Sequence, residues 1–133
     1  MVIDTSAILA ILLQEPEAEF FIHLLATDIK RLISAGTLLE SMMVIEARKG
    51  ESGGRELDLL LHRAKVDIIP FDDEQAEIAR HAWQRYGKGR HVAGLNFGDC
   101  FAYALSKVSN EPLLFKGNDF KQTDIKVIAV LQN

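Results

Sequence analysis

Short apolar runs and helical apolar repeats take turns along this chain, and that alternation sets the first expectations. Met1 to Asp4 is a short apolar run ending in an acid, and Ser6 to Leu13 has the composition of a buried helix. Pro16 suits a first helical turn, and Phe20, Phe21, Leu24 and Leu25 recur at helical spacing through Asp28. Lys30 to Ala35 reads as a short strand. Thr37 is then placed to cap a helix with Leu38, Leu39, Met42 and Ile45 on one face and an end near Gly50. Gly53 and Gly54 interrupt the pattern before Leu57, Leu59, Leu60 and Leu61 resume it, so the helical region should break there and restart as an αα-hairpin.

Val66 to Phe71 is a further strand candidate. Asp72 can cap the next helix, with Ala76, Ile78, Ala79, Ala82 and Trp83 expected to face the core and Gly87 to follow its end. Lys88 to Leu95 is a basic loop containing glycine. Phe97 to Val108 is helical again, with Phe101, Ala104, Leu105 and Val108 three or four residues apart. Leu113 to Lys116 and Ile125 to Leu131 are the last strand candidates, with Gly117 to Gln122 as a turn or short helix between them. Strands alternating with helices predict an α/β fold: a parallel, twisted sheet with helices on both faces. It is expected as a single domain over residues 1–133, without internal repeat or linker.

Composition narrows the picture. A chain of 133 residues that is 48% hydrophobic can bury one core but is short for two domains. A charged fraction of 26% with sparse glycine and proline argues against disorder. The net charge of −4 argues against a general polyanion-coating protein and leaves room only for a local basic patch. The single Cys100 has no disulfide partner in the chain, and no signal-peptide pattern is visible, so a reducing cytoplasm is expected. No apolar run approaches the roughly 20 residues of a membrane span.

The chemistry is expected at the carboxyl ends of the strands, where loops from separate crossovers meet. Asp4 ends the first strand candidate, Glu40 lies in the first turns of a helix, Asp99 starts the helix after the basic loop, and Asp119 follows Leu113 to Lys116. Taken singly, each has a bland reading: a helix cap for Asp4 and Asp99, a solvated first-turn acid for Glu40, a turn acid for Asp119. Gathered on one rim they repel at neutral pH, and a hard divalent cation, Mg²⁺ or Mn²⁺, would neutralise them. Arg85, Lys88, Arg90 and His91 precede Asp99, and Lys116 lies near Asp119; beside an acid site they suit RNA phosphates, and otherwise they are a solvated loop. The chain has no His/Cys spacing for zinc and no nucleophile elbow, and Cys100 reads as inert packing.

Val2-Ile3-Asp4-Thr5-Ser6-Ala7, Glu40, Asn96-Phe97-Gly98-Asp99-Cys100 and Gly117-Asn118-Asp119-Phe120 stand in the order of PIN-domain motifs and resemble the VapC toxins of VapBC toxin-antitoxin pairs. The resemblance extends through Phe101-Ala102-Tyr103-Ala104-Leu105-Ser106 and Lys121-Gln122-Thr123-Asp124-Ile125, nearly the whole chain. It implies Asp4, Glu40, Asp99 and Asp119 as catalytic and metal-binding acids, with Ser6 and Asn118 as polar supports. Thr123 and Asp124 sit in a family-like segment behind them, Asp124 either touching metal or ordering its loop. The implied protein is a metal-dependent endoribonuclease, partnered by a VapB-like antitoxin and expected as a homodimer. Alternatives on the same fold are a nuclease for single-stranded DNA, a phosphatase and a non-catalytic RNA-binding module.

Overall fold

The computed structural model describes residues 1–128, so the part of the Ile125 to Leu131 strand candidate beyond Ile128 lies outside the described residues. The chain runs β1 (Val2–Ile3), α1 (Thr5–Leu12), α2 (Ala18–Thr27), β2 (Leu32–Ser34), α3 (Ala35–Arg63), β3 (Asp67–Ile69), α4 (Asp73–Tyr86), α5 (Phe97–Ser109), β4 (Leu113–Leu114) and a single 3₁₀ turn, Asp119–Gln122. The strands form one sheet in the order β3-β2-β1-β4, and every pair is parallel. Val2 lies opposite Leu32 on one side and Leu113 on the other.

Side chains of a strand alternate between faces, and three neighbouring strands use that rule in step. Ile3, Ile33 and Leu114 join Ile8, Phe21, Ile45 and Leu57 in the core under α1, α2 and α3. Val2, Leu32 and Leu113 join Ala82, Tyr86, Leu105 and Phe120 under α4 and α5. The expected α/β sheet covered on both faces is therefore present. The chain grows from β1 toward β2 and β3, then returns to place β4 on the other flank of β1. That reversal is the switch point of an open sheet, where a crevice forms beyond the strand ends. Asp4 stands at its mouth. Among the described residues, no helix is long and apolar enough to cross a membrane.

Several local expectations need correction. The cap of α3 is Ser34, whose hydroxyl accepts from the Gly36 N–H at 3.2 Å, while Thr37 sits fully buried in the first turn. The break in this helix falls at Gly50, whose φ of 65° and ψ of −159° only glycine adopts readily. Gly53 and Gly54 lie within the second limb and permit its close approach to the first. A Cβ at Gly53 would come within 3.0 Å of the Ile45 carbonyl, and one at Gly54 within 2.5 Å of the Glu46 carboxylate. The αα-hairpin exists, with its tip three residues earlier than the Gly53-Gly54 pair suggests.

In α4 the inward stripe is Gln75, Ala79, Ala82 and Tyr86, whereas Ala76 is exposed and Trp83 is 43% exposed. Gln75 is tolerated inside because its amide donates to the Pro70 carbonyl at 3.0 Å. In α5, Val108 is 40% exposed, and burial falls instead on Cys100, Ala102, Tyr103, Ala104, Leu105 and Ser106. Pro16 precedes α2 and lies outside its first turn. Val66 to Phe71 shrinks to the edge strand β3, with Asp67 and Ile68 exposed. The last strand candidate contributes, among the described residues, an isolated bridge between Leu113 and Val127.

Candidate active site

Asp4 leaves β1 and caps α1, so the bland reading of this residue is correct as far as it goes. Its Oδ2 accepts from the Ser6 backbone N–H at 3.0 Å and from the Ser6 hydroxyl at 2.6 Å. An ordinary cap is solvated, however, and Asp4 is only 4% exposed. Burial pushes its pKa up to about 6, against the pull of the Ser6 hydrogen bonds and with help from the charge of Glu40. The Ser6 hydroxyl also accepts the Lys116 N–H at 2.9 Å, which ties the loop after β4 to Asp4.

Glu40 reaches the same crevice from α3, and its Oε1 accepts from the Thr5 hydroxyl at 2.5 Å. Its carboxylate lies so close to α5 that a Cβ at Gly98 would overlap it. Gly98→Ala is therefore expected to push the Glu40 carboxylate off Thr5 and, because the crowded atoms are the end of a flexible side chain, to cost about 1 kcal/mol, the low end for overpacking. Glu40→Ala in the same chain should restore most of that loss in urea denaturation. Strictly additive losses in the double variant would place the crowding elsewhere.

Asp99 is the third residue of α5, and the cap of that helix is Asn96. The two form a capping box: the Asp99 N–H donates to Asn96 Oδ1 at 2.9 Å and the Asn96 N–H donates to Asp99 Oδ2 at 3.0 Å. Burial pushes the Asp99 pKa up to about 7, opposed by the Asn96 hydrogen bond and reinforced by the charges of Asp4, Asp119 and Glu40. Asp119, exposed at the start of the 3₁₀ turn, belongs to the set through that last effect. Asp99 is thus the point at which all of the sequence-predicted acids meet electrostatically. Among the described residues, no three acidic, His or Cys side chains are close enough to hold one ion as they stand. Asp4 is turned to Ser6, Glu40 to Thr5 and Asp99 to Asn96.

The remaining candidates divide. Ser6 supports Asp4 directly. Asn118 is exposed and makes no capping bond to the turn it precedes. The Thr123 hydroxyl donates to the Phe120 carbonyl at 2.7 Å and closes that turn. Asp124 accepts from the Tyr103 hydroxyl and from Lys107 Nζ, each at 2.6 Å. Although burial opposes it, those two hydrogen bonds hold the Asp124 pKa below the usual carboxylate range.

Of the basic residues, Arg85, Lys88, Arg90 and His91 are exposed on α4 and the loop after it. Arg90 lies over the Trp83 ring at 4.1 Å, Arg85 over Tyr86 at 5.0 Å, and His91 packs edge-on against Tyr86. Lys116 departs from expectation: it pairs with Glu15 and Glu17 from the α1–α2 connection, so its charge is already matched. Cys100 is buried, and burial followed by the charge of Asp99 pushes its pKa up to about 11, which leaves it an inert thiol. Thr5, Asn96 and Gly98 gain roles at this site that the motifs alone do not assign to them. Asn96 had a signal, since Asn followed three residues later by Asp before an apolar run is a capping-box pattern.

The description of the PIN domain matches residues 1–126, and the chain belongs to that family. Among similar proteins, Ribonuclease VapC30 of Mycobacterium tuberculosis is 58% identical over 130 residues, spanning 98% of this chain and 99% of its own. Ribonuclease VapC of Mycolicibacterium smegmatis is 58% identical over 128 residues, 96% of this chain and 99% of its own. Of solved structures, VapC20 of Mycobacterium tuberculosis, a sarcin-ricin loop cleaving toxin, superposes with a TM-score of 0.77 over 96% of this chain and 97% of that one, at 15% identity. VapBC2 of Rickettsia felis, bound to a DNA fragment from its promoter, gives 0.73 over 95% and 94%, at 20% identity. At such identities the two structures speak for the fold alone.

Proposed function

We propose that this chain is a metal-dependent endoribonuclease, the toxin of a VapBC-type pair, with Asp4, Glu40, Asp99 and Asp119 as its catalytic acids. One observation supports the site above others: the Asp99 pKa is raised by burial and by all three other acids together. Relatives 58% identical over nearly the full length are named ribonucleases, which supports RNA as substrate. The partner is a VapB-like antitoxin, in keeping with the VapBC structures and a toxin-antitoxin complex among structures of the same fold.

The donors are all oxygens, carboxylates backed by hydroxyls, and such a set fits a hard cation such as Mg²⁺ or Mn²⁺ and suits zinc poorly. When bound, the cation supplies charge neutralisation at the phosphoryl oxygens and a more acidic water. Asp4 and Asp99, the most strongly perturbed acids, would hold it, with Glu40 and Asp119 completing the set or orienting water. The protein's own contribution is orientation. Ser6 orients one oxygen of Asp4, Thr5 one of Glu40, and the capping box with Asn96 one of Asp99, which leaves the other oxygen of each acid free to turn toward a cation.

The test is cleavage of RNA in EDTA and after return of Mg²⁺ or Mn²⁺, with single-stranded DNA of the same sequence alongside. RNA should be cut only with the cation. Equal cleavage of DNA would move the reading to a general nuclease, and activity undiminished in EDTA would remove the metal from it. Lys88 and Arg90 lie in the loop that leads to α5 and are expected to meet the RNA backbone. Lys88→Glu with Arg90→Glu should raise the RNA concentration for half-maximal rate and flatten the logarithmic salt dependence by about 1.4 for two lost phosphates. An unchanged slope would place the loop away from RNA.

A further inference from the structure

Asp124 lies beyond the turn that Asp119 opens, and both of its oxygens are engaged away from the acid cluster. Oδ1 accepts from the Tyr103 hydroxyl and Oδ2 from Lys107 Nζ, each at 2.6 Å. Tyr103 sits one helical turn after Asp99 on α5, and residues four apart share a helix face. It is 4% exposed, packed among Tyr86, Phe120 and Ile125. We infer that Asp124 and Tyr103 are positioning residues: their hydrogen bond fastens the turn bearing Asp119 to the helix bearing Asp99 and sets the spacing of those two carboxylates for a divalent cation. This inference rests on the reading of the acids as a cation site.

Two anchors are needed to fix a turn, because one alone is a pivot. The first is Phe120, 1% exposed and 5.1 Å from the Phe115 ring, which sets the depth of the turn. Upstream, Lys116 is held to Ser6, but Gly117 at φ 116° follows it as a joint that leaves the turn free to swing. The second anchor is Asp124, which fixes where the turn lies along α5. A hydrogen bond from a buried phenol to a charged carboxylate is among the stronger kinds, and losing it would strand the Tyr103 hydroxyl without a partner. The Lys107 pair has side chains 42% and 35% exposed and should contribute less.

The experiment is a titration with Mn²⁺, following the free ion by electron paramagnetic resonance, on wild type, Tyr103→Phe, Asp124→Ala, their double variant and Asp99→Asn. The Mg²⁺ dependence of RNA cleavage is measured alongside. Tyr103→Phe keeps the ring in the core and removes only the bond. Tyr103→Phe and Asp124→Ala should each weaken Mn²⁺ binding about tenfold, the effect usual for a group that orients a metal ligand. The half-activating Mg²⁺ concentration should rise by the same factor, while kcat at saturating ion stays within about twofold. The double variant should be no worse than Asp124→Ala, since both changes break one bond. Unchanged affinity with a lower melting temperature would overturn the inference, leaving the pair a structural tie. Weakening in Asp124→Ala but not in Tyr103→Phe would overturn it too, because Asp124 would then act without Tyr103. If Asp124→Ala fails to fold, Tyr103→Phe decides alone. Should wild type bind no Mn²⁺ and Asp99→Asn change nothing, the cation site itself falls and the inference with it.

Discussion

RNA cleavage by Asp4→Asn and by Asp99→Asn is expected to fall by more than about a hundredfold at saturating Mg²⁺, beyond the range seen when only a supporting residue is lost. Asparagine is the informative replacement at both positions. Asp4 caps α1, and Asp99 shares the capping box of α5 with Asn96. Asn serves a cap nearly as well as Asp, so the charge is removed with little loss of helix stability, whereas Ala would add about 1 kcal/mol of capping loss at Asp4. Asp119, exposed at the start of its turn, should be less critical, with a loss of about tenfold in Asp119→Asn. Initial rates on a fluorogenic RNA, with circular dichroism to check the fold, measure all three. If Asp4→Asn and Asp99→Asn both stay within about threefold of wild type, the carboxylates do not perform the reaction.

Without divalent ions, the same Asp99→Asn change should make the protein more stable. In the folded state the Asp99 pKa rises from 3.8 to about 7 and that of Asp4 from 3.8 to about 6, so folding disfavours their charged forms. Below about pH 4 both groups are protonated whether folded or not, and their full contribution is present. As pH rises through about 6 and then 7, the unfolded chain has already released those protons while the folded one must ionise against burial and repulsion, and stability is lost. Asp99 is in part reached by water, which screens its interactions, so about 1–2 kcal/mol is the appropriate scale. In a chain of this size that is roughly 3–8 °C in melting temperature. At pH 8 in EDTA, Asp99→Asn should melt that much higher than wild type, and at pH 4 the two should converge. Mg²⁺ should then stabilise wild type more than the variant, since an ion bound only by the folded state adds stability with its concentration over Kd. A variant that melts lower in EDTA and gains equally from Mg²⁺ would make Asp99 a structural residue.

What could be read in the chain beforehand, and what could not, follows from the range of the interactions concerned. Strand ends and helix starts are local, so Asp4, Glu40 and Asp99 could be placed on one rim from apolar periodicity alone. Gly50, Gly53 and Gly54 show where local pattern fails. A glycine that breaks a helix and one that lets two helices touch look alike in sequence, and only the Ile45 and Glu46 contacts separate them. The sequence of α4 offers two apolar stripes, and burial of Gln75 through the Pro70 carbonyl selects the one without the Trp83 indole. Lys116 looks like a phosphate contact in sequence, but its partners Glu15 and Glu17 are about a hundred positions away. Asp124 likewise depends on Tyr103, on another element. The positions of the acids are legible because they follow element ends, and so is Ser6, two residues from Asp4; Thr5 beside Glu40 and Tyr103 beside Asp124 are not, because those pairs join separate elements.

The kinked hairpin of α3 also separates chain length from chemistry. Glu40 is ten residues before Gly50, about 15 Å along the helix, and residues 50–52 at the tip are all exposed. Extra residues or a reporter group placed there would lengthen an outward-facing corner, whereas an insertion in the first limb between Ser34 and Glu40 would rotate the acid out of the crevice by about 100° for each residue added. The tip is thus the natural port for tethering this protein to a surface or a fluorophore, with the acids left in register.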